Sequence, residues 1–133
     1  MAKTVKKTPL TGTPAWLWPA LIVVAVLAYL PAMDAPFLFD DLTSPALHPD
    51  GSPPLANLLK SSRPLYFASL WLDRQMFGLA PAPMHAVSLL LHLMNACLML
   101  GVLKKLCGLA GVEESKRGWL AAAGAGIFLL HPV

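Results

Sequence analysis

Two groups of residues in this chain have types and spacings that could carry chemistry. The first is an acid pair, Asp40-Asp41, reached through Phe37-Leu38-Phe39 shortly after an uncharged apolar run from Trp16 to Met33. Apolar residues on its upstream side place the pair near a membrane–water boundary. Reduced dielectric there disfavours the charged form, raising the basicity of a carboxylate. That suits a general base acting on a membrane-borne substrate. The same residues could equally mark a helix exit and solvate a loop. The second group is His85, Ser88, His92 and Asn95, at positions i, i+3, i+7 and i+10 of a run otherwise made of Leu, Met, Val and Ala. At about 100° per residue these four share an arc of roughly 80° on one helix face. Polar groups inside a bilayer turn toward a protein interior or a water-filled cavity, so this stripe faces a partner helix or a site. Hydrogen bonding between helices is the simpler use of it, and substrate contact the more specific one. His85 and His92 stand two turns apart, too far to share one metal ion unaided, and neither cysteine, Cys97 or Cys107, has metal-ligand spacing.

The elements that must position these residues are membrane elements. The chain of 133 residues is 56% hydrophobic and 13% charged, against about 25% charged residues in soluble domains. Its mean hydropathy is +0.61. The cations are unevenly placed. Lys3, Lys6 and Lys7 precede the first apolar run, and Lys104, Lys105, Lys116 and Arg117 flank a connector between the second and third. The segment between the first two runs holds five of the seven acids but only three of the ten cations, Lys60, Arg63 and Arg74. The positive-inside rule then sets the N-terminus and the connector in the cytoplasm and the long loop outside. Basic residues without interleaved aromatics on one face argue against nucleic acid as a partner.

These patterns predict an all-α polytopic membrane protein with about three transmembrane helices. Residues 1–14 form a basic cytoplasmic N-terminus and 15–33 a first span. An outer loop follows at 34–84, with 85–103 as the second span, 104–117 as a cytoplasmic connector and 118–133 as a third span. The first run is too long for a secretory h-region, and Pro31-Ala32-Met33-Asp34 is a poor cleavage site. Within the outer loop, residues 63–77 read as an amphipathic interfacial helix. Ser62 is its expected cap, Pro64 its first turn and Gly78 its end, and Asp73-Arg74-Gln75 makes it too polar to span. Pro81 and Pro83 are expected to break the chain before the second span. Ala121 to Ala123 with Gly124 and Gly126 form a small-residue face for close helix packing. The third span ends at the chain end without a polar tail, which reads as the N-terminal piece of a longer protein.

Four elements stand in a fixed order: Phe39-Asp40-Asp41, Arg63-Pro64-Leu65, His85-x-x-Ser88-x-x-x-His92-x-x-Asn95 and Leu130-His131-Pro132-Val133. This order resembles the N-terminal part of polytopic GT-C glycosyltransferases, most closely the TPR-associated O-mannosyltransferase-like proteins and their bacterial relatives. The resemblance covers the chain from about Pro36 onward. It implies transfer of a mannose-like sugar from a polyprenyl- or dolichyl-phosphate donor to an acceptor protein or glycan. The reaction would take place at the outer face of a bacterial inner membrane or the luminal face of the endoplasmic reticulum. It also implies inversion at the anomeric carbon, with Asp40 or Asp41 as the base. Arg63 would contact the donor phosphate, and His85, His92, Asn95 and His131 would contribute to substrate binding. No cofactor is expected beyond the lipid-phosphate donor, and nothing in the sequence supports a divalent metal. Ser88 departs from the Asn usual in the family's helix while keeping a hydrogen-bonding group, and the family's further motifs and spans do not follow Val133. The 133-residue chain alone is therefore expected to be inactive. The rival readings are a small non-enzymatic membrane subunit that docks through its polar stripe, and part of a transporter with the His and Asn residues along a proton or solute path.

Overall fold

The computed structural model describes residues 13–38 and 62–131. Every regular element in them is helical. Helix α1, Leu17–Tyr29, continues as a 3-10 turn, Leu30–Ala32; α2 is Pro64–Phe77, α3 is Pro81–Leu109 and α4 is Glu114–Leu130. The change of geometry at Leu30 has a local cause. Pro31 has no N–H to give the helix, and its ring collides with the carbonyl four residues earlier, so the α-helical ladder stops ahead of it.

Among the described residues, α3 is the one helix long and apolar enough to cross a membrane. Its 29 residues rise about 43 Å at ~1.5 Å each, more than a hydrocarbon core of about 30 Å requires. Its most apolar 18-residue window has a mean hydropathy of 2.1, yet only 11% of that window is buried. The core helix of a soluble protein would be mostly covered, whereas α3 leaves Met94, Leu98, Val102 and Leu106 exposed at four-residue intervals. An uncovered apolar stripe of this length fits a lipid environment or a further protein surface.

The helix boundaries differ from the sequence expectation at both ends of α3. Pro81 and Pro83 begin the helix instead of breaking the chain, because the first-turn N–H groups of a helix have no intrahelical acceptor and their absence costs nothing. At the other end α3 continues through Lys104 and Lys105 to Leu109, so the connector contracts to the four residues Ala110 to Glu113. Gly111, at φ 72°, turns the chain there. The Val112 N–H reaches the Cys107 carbonyl at 2.9 Å and the Gly111 N–H reaches Gly108 at 3.1 Å, the paired bonds of a Schellman termination. Both cysteines lie on α3 and are free thiols.

The chain divides into two compact units. One comprises Met1–Ala28 with Leu91–Val133, and the other comprises Tyr29–Leu90. The first unit packs around Ala25, Ala96 and Leu129, with Trp18, Leu21, Ile22, Leu93 and Phe128 against them. Helix α4 buries Ala121, Ala122, Ala125, Gly126 and Leu129, a stripe at helical spacing. The packing face is thus rotated from the one expected, since Ala123 is exposed and Gly124 half-buried. Small side chains along this stripe let helix backbones approach closely.

In the second unit, α2 starts at Pro64 with Arg63, not Ser62, as its N-cap residue, and no side chain caps it. The helix presents Leu65 (85% exposed), Leu72 and Met76 outward while burying its acid, Asp73. A helix with apolar residues outward and a carboxylate inward is the reverse of a soluble amphipathic helix, and is consistent with apolar residues resting in a bilayer surface. It ends at Gly78, whose φ of 67° and ψ of −140° lie in a region open essentially to glycine alone. Nothing lies within 4 Å of where a Cβ would be, so the backbone conformation and not crowding demands the glycine. Gly78→Ala is expected to destabilise the chain by about 1–3 kcal/mol, read as a lower midpoint in thermal unfolding of the protein in detergent, with faster amide exchange in the last turn of α2.

Candidate functional site

His85 occupies the second turn of α3. Its Nδ1–H donates to the Ala32 carbonyl at 2.9 Å and to the Met33 carbonyl at 3.1 Å. These acceptors sit where the 3-10 turn after α1 runs out. The last carbonyls of a helical run have no N–H ahead of them and must find another donor. Ala32 also accepts from the Ala35 N–H at 3.2 Å, so the imidazole and one turn bond together close this end. The edge of the His85 ring meets Phe37, with centroids 6.1 Å apart and planes at 75°. With the proton fixed on Nδ1 by two carbonyl acceptors, Nε2 of the neutral ring is an acceptor.

His92 performs the same service with its other nitrogen. Its Nε2–H donates to the Leu129 carbonyl at 3.1 Å, and its ring stacks on Phe128 with centroids 5.0 Å apart. Leu129 is the penultimate residue of α4, so its carbonyl is another acceptor that the helix leaves open. The Ile127 carbonyl, one turn from the end, is met by the His131 N–H at 3.0 Å. Negative partial charge accumulates at such C-terminal ends, so an N–H donor there is doubly favourable.

The remaining candidates are placed differently. Ser88 and Asn95 are exposed on α3. Arg63 is exposed at the N-cap of α2. His131 is exposed and lines an open groove of about 600 Å³, whose lining includes Leu17, Leu21, Trp119, Ile127 and Leu130. Asp40 and Asp41 lie outside the described residues. The face shared by His85, Ser88, His92 and Asn95 therefore holds two histidines with separate backbone acceptors and two neutral polar groups open to their surroundings. Among the described residues, no group of three or more His, Cys, Asp or Glu side chains converges as a metal site would.

Asp73 is the acid that sequence reading passes over. It is 8% exposed, and burial without a compensating cation raises its pKa above the ordinary 3.8. The sequence signal for it is a single acid set directly after Leu70-Trp71-Leu72. At the other extreme, the exposed Glu113 is lowered by its bond to Lys116 and then by Ser115, and its 2.9 Å ion pair with Lys116 is a surface contact of small worth.

Comparison with family models, curated proteins and solved structures finds no match for this chain.

Opposite donor nitrogens make the two histidines separable. An Asn amide nitrogen overlays the position of Nδ1 and a Gln amide nitrogen that of Nε2. His85→Asn and His92→Gln are expected to keep most of the stability that His85→Gln and His92→Asn lose, by about 1 kcal/mol per unmatched bond, in thermal unfolding of the purified variants. For Asp73 the sign follows from burial. A raised pKa means the folded state holds its proton more tightly, so the stability contribution is full below pH 3.8 and falls as pH rises toward the folded value. Asp73→Asn is expected to raise stability at neutral pH, and the gain should vanish when unfolding is measured below pH 3.8.

Proposed function

We propose that this chain is the N-terminal region of a polytopic GT-C-type transferase. Such an enzyme moves a mannose-like sugar from a polyprenyl- or dolichyl-phosphate to an acceptor hydroxyl at the outer or luminal membrane face. The observation that carries this reading is the order of the four sequence elements, with the acid pair following the first span and His131 closing the third. The described residues, whose regular elements are all helical and include one span-length apolar helix, support it, as does the apolar outer surface of α2. In this reading residues 15–33, 85–103 and 118–133 cross the bilayer, with the N-terminus in the cytoplasm.

In the proposed reaction the acceptor oxygen attacks the anomeric carbon from the face opposite the phosphate. A carbon–oxygen bond to the acceptor forms while the bond to the phosphate oxygen breaks. The electron pair and negative charge leave with the polyprenyl phosphate, and the acceptor proton passes to one carboxylate of Asp40 or Asp41. Arg63 is the candidate to meet the phosphate charge, since its planar fork matches phosphate oxygens two at a time and it stands exposed at the start of α2. His85 contributes by closing the end of the first helical run through Ala32 and Met33 and by contacting Phe37, three residues ahead of Asp40 in the sequence.

A second reading is favoured by one observation. Ser88 and Asn95 are exposed on an apolar helix, where each could hydrogen-bond a partner helix. A non-enzymatic subunit docking through α3 would use them in that way.

The test is sugar transfer from a radiolabelled polyprenyl-phosphate donor in membranes carrying the intact transferase that this region would open, with expression matched. Asp40→Asn or Asp41→Asn is expected to lower transfer by about 10²–10⁴-fold at one position. Near-normal transfer in both variants would return the pair to loop solvation and leave the docking subunit as the better account.

A further inference from the structure

The turn between α3 and α4 gathers four cations, three of which meet no carboxylate among the described residues. Arg117 lies against Gly108: a Cβ on that glycine would sit 3.3 Å from both Cζ and Nη1 of the guanidinium, so the missing side chain makes the space it occupies. Nη2 donates to the Val112 carbonyl at 3.3 Å, which fixes the plane of the group against the turn. Nε is buried with no acceptor. Lys104 and Lys105 precede Gly108 by four and three residues, the spacing that puts side chains on one helix face, and both are exposed. The ion pair in this turn joins Lys116 to Glu113, leaving Arg117, Lys104 and Lys105 without a carboxylate among the described residues.

The depth of this cluster is set by α3. The uncharged residues 84–103 rise about 30 Å, the thickness of a hydrocarbon core, and Lys104 and Lys105 follow at once. If α3 crosses a bilayer, the three cations lie at the level of the headgroups. A guanidinium whose Nε–H is buried and finds no acceptor among the described residues, beside two exposed lysines, favours an anion nearby.

We propose that the α3–α4 turn binds the phosphodiester headgroup of an anionic phospholipid. The Arg117 guanidinium meets the phosphate oxygens, and Lys104 and Lys105 flank it. The occupant is a lipid and not free phosphate because Lys104 and Lys105 directly follow the uncharged residues 84–103 of α3, whose exposed apolar side chains can meet acyl chains. The proposal rests on the reading that α3 spans a membrane.

The full chain, reconstituted in phosphatidylcholine vesicles with and without a minor fraction of phosphatidylglycerol, is extracted and its retained lipid measured by native mass spectrometry. Wild type is expected to retain phosphatidylglycerol selectively. Arg117→Gln is expected to reduce that retention about fivefold, and the Lys104→Gln, Lys105→Gln pair, which leaves the packing untouched, at least as much. Gly108→Leu, which displaces the guanidinium without changing charge, is expected to match Arg117→Gln. Lys116→Gln, with the same charge change but a residue already paired, is expected to change it less than about twofold. Equal losses from Lys116→Gln and Arg117→Gln would reduce the site to diffuse surface charge and overturn the proposal. So would inorganic phosphate displacing phosphatidylglycerol. A chain that resists alkaline carbonate extraction but retains no phosphatidylglycerol overturns the site alone. A chain that carbonate removes overturns the membrane reading and the site with it.

Discussion

The last carbonyls of a helix have no N–H ahead of them, and in this chain two histidines on one helix meet that demand. Each unmatched backbone group in a low-dielectric setting costs several kcal/mol on the order expected for transfer into hydrocarbon. His85 and His92 place one ring N–H each on the closing carbonyls of the segments beside them, at Ala32 with Met33 and at Leu129. Aromatic partners, Phe37 and Phe128, hold the rings in place. The two histidine rings of α3 are thereby tied to the ends of helices, where unpaired carbonyls need a donor.

Small residues govern the rest of the packing. Small side chains let helix backbones approach closely, and that approach decides which faces meet. The stripe of Ala121, Ala122, Ala125 and Gly126 on α4 and the core formed by Ala25, Ala96 and Leu129 follow from that. Larger apolar side chains remain exposed on the outside of α3. Helix α2 repeats the inversion at its own scale, with Leu65 and Met76 outward and Asp73 inward.

The charges complement this plan. Cations collect where α3 leaves its apolar stretch, and the single ion pair among the described residues there, Lys116 with Glu113, is a surface contact. The turn that carries them is compact because Gly111 closes α3 within four residues of the start of α4. Arg117 and Gly108 then interlock, a juxtaposition produced by the short connection and not by the charge pattern alone.

The sequence by itself determined the helical class, the positions of the apolar runs, the end of α2 at Gly78 and the grouping of His85 with His92 on one helix. These follow from hydropathy, periodicity and the conformational range of glycine, all of which act locally. It left the function of the histidine face open between helix contact and substrate contact, because periodicity gives a direction on the helix and no partner. Tertiary structure decided the partners: carbonyls from residues 32, 33 and 129, distant in sequence and therefore invisible to a local pattern. It also decided that Pro81 opens a helix instead of breaking one, since a proline's cost depends on whether an acceptor was waiting for its N–H. The burial of Asp73 belongs to the same class, because whether a carboxylate keeps its water depends on what the rest of the chain packs against it.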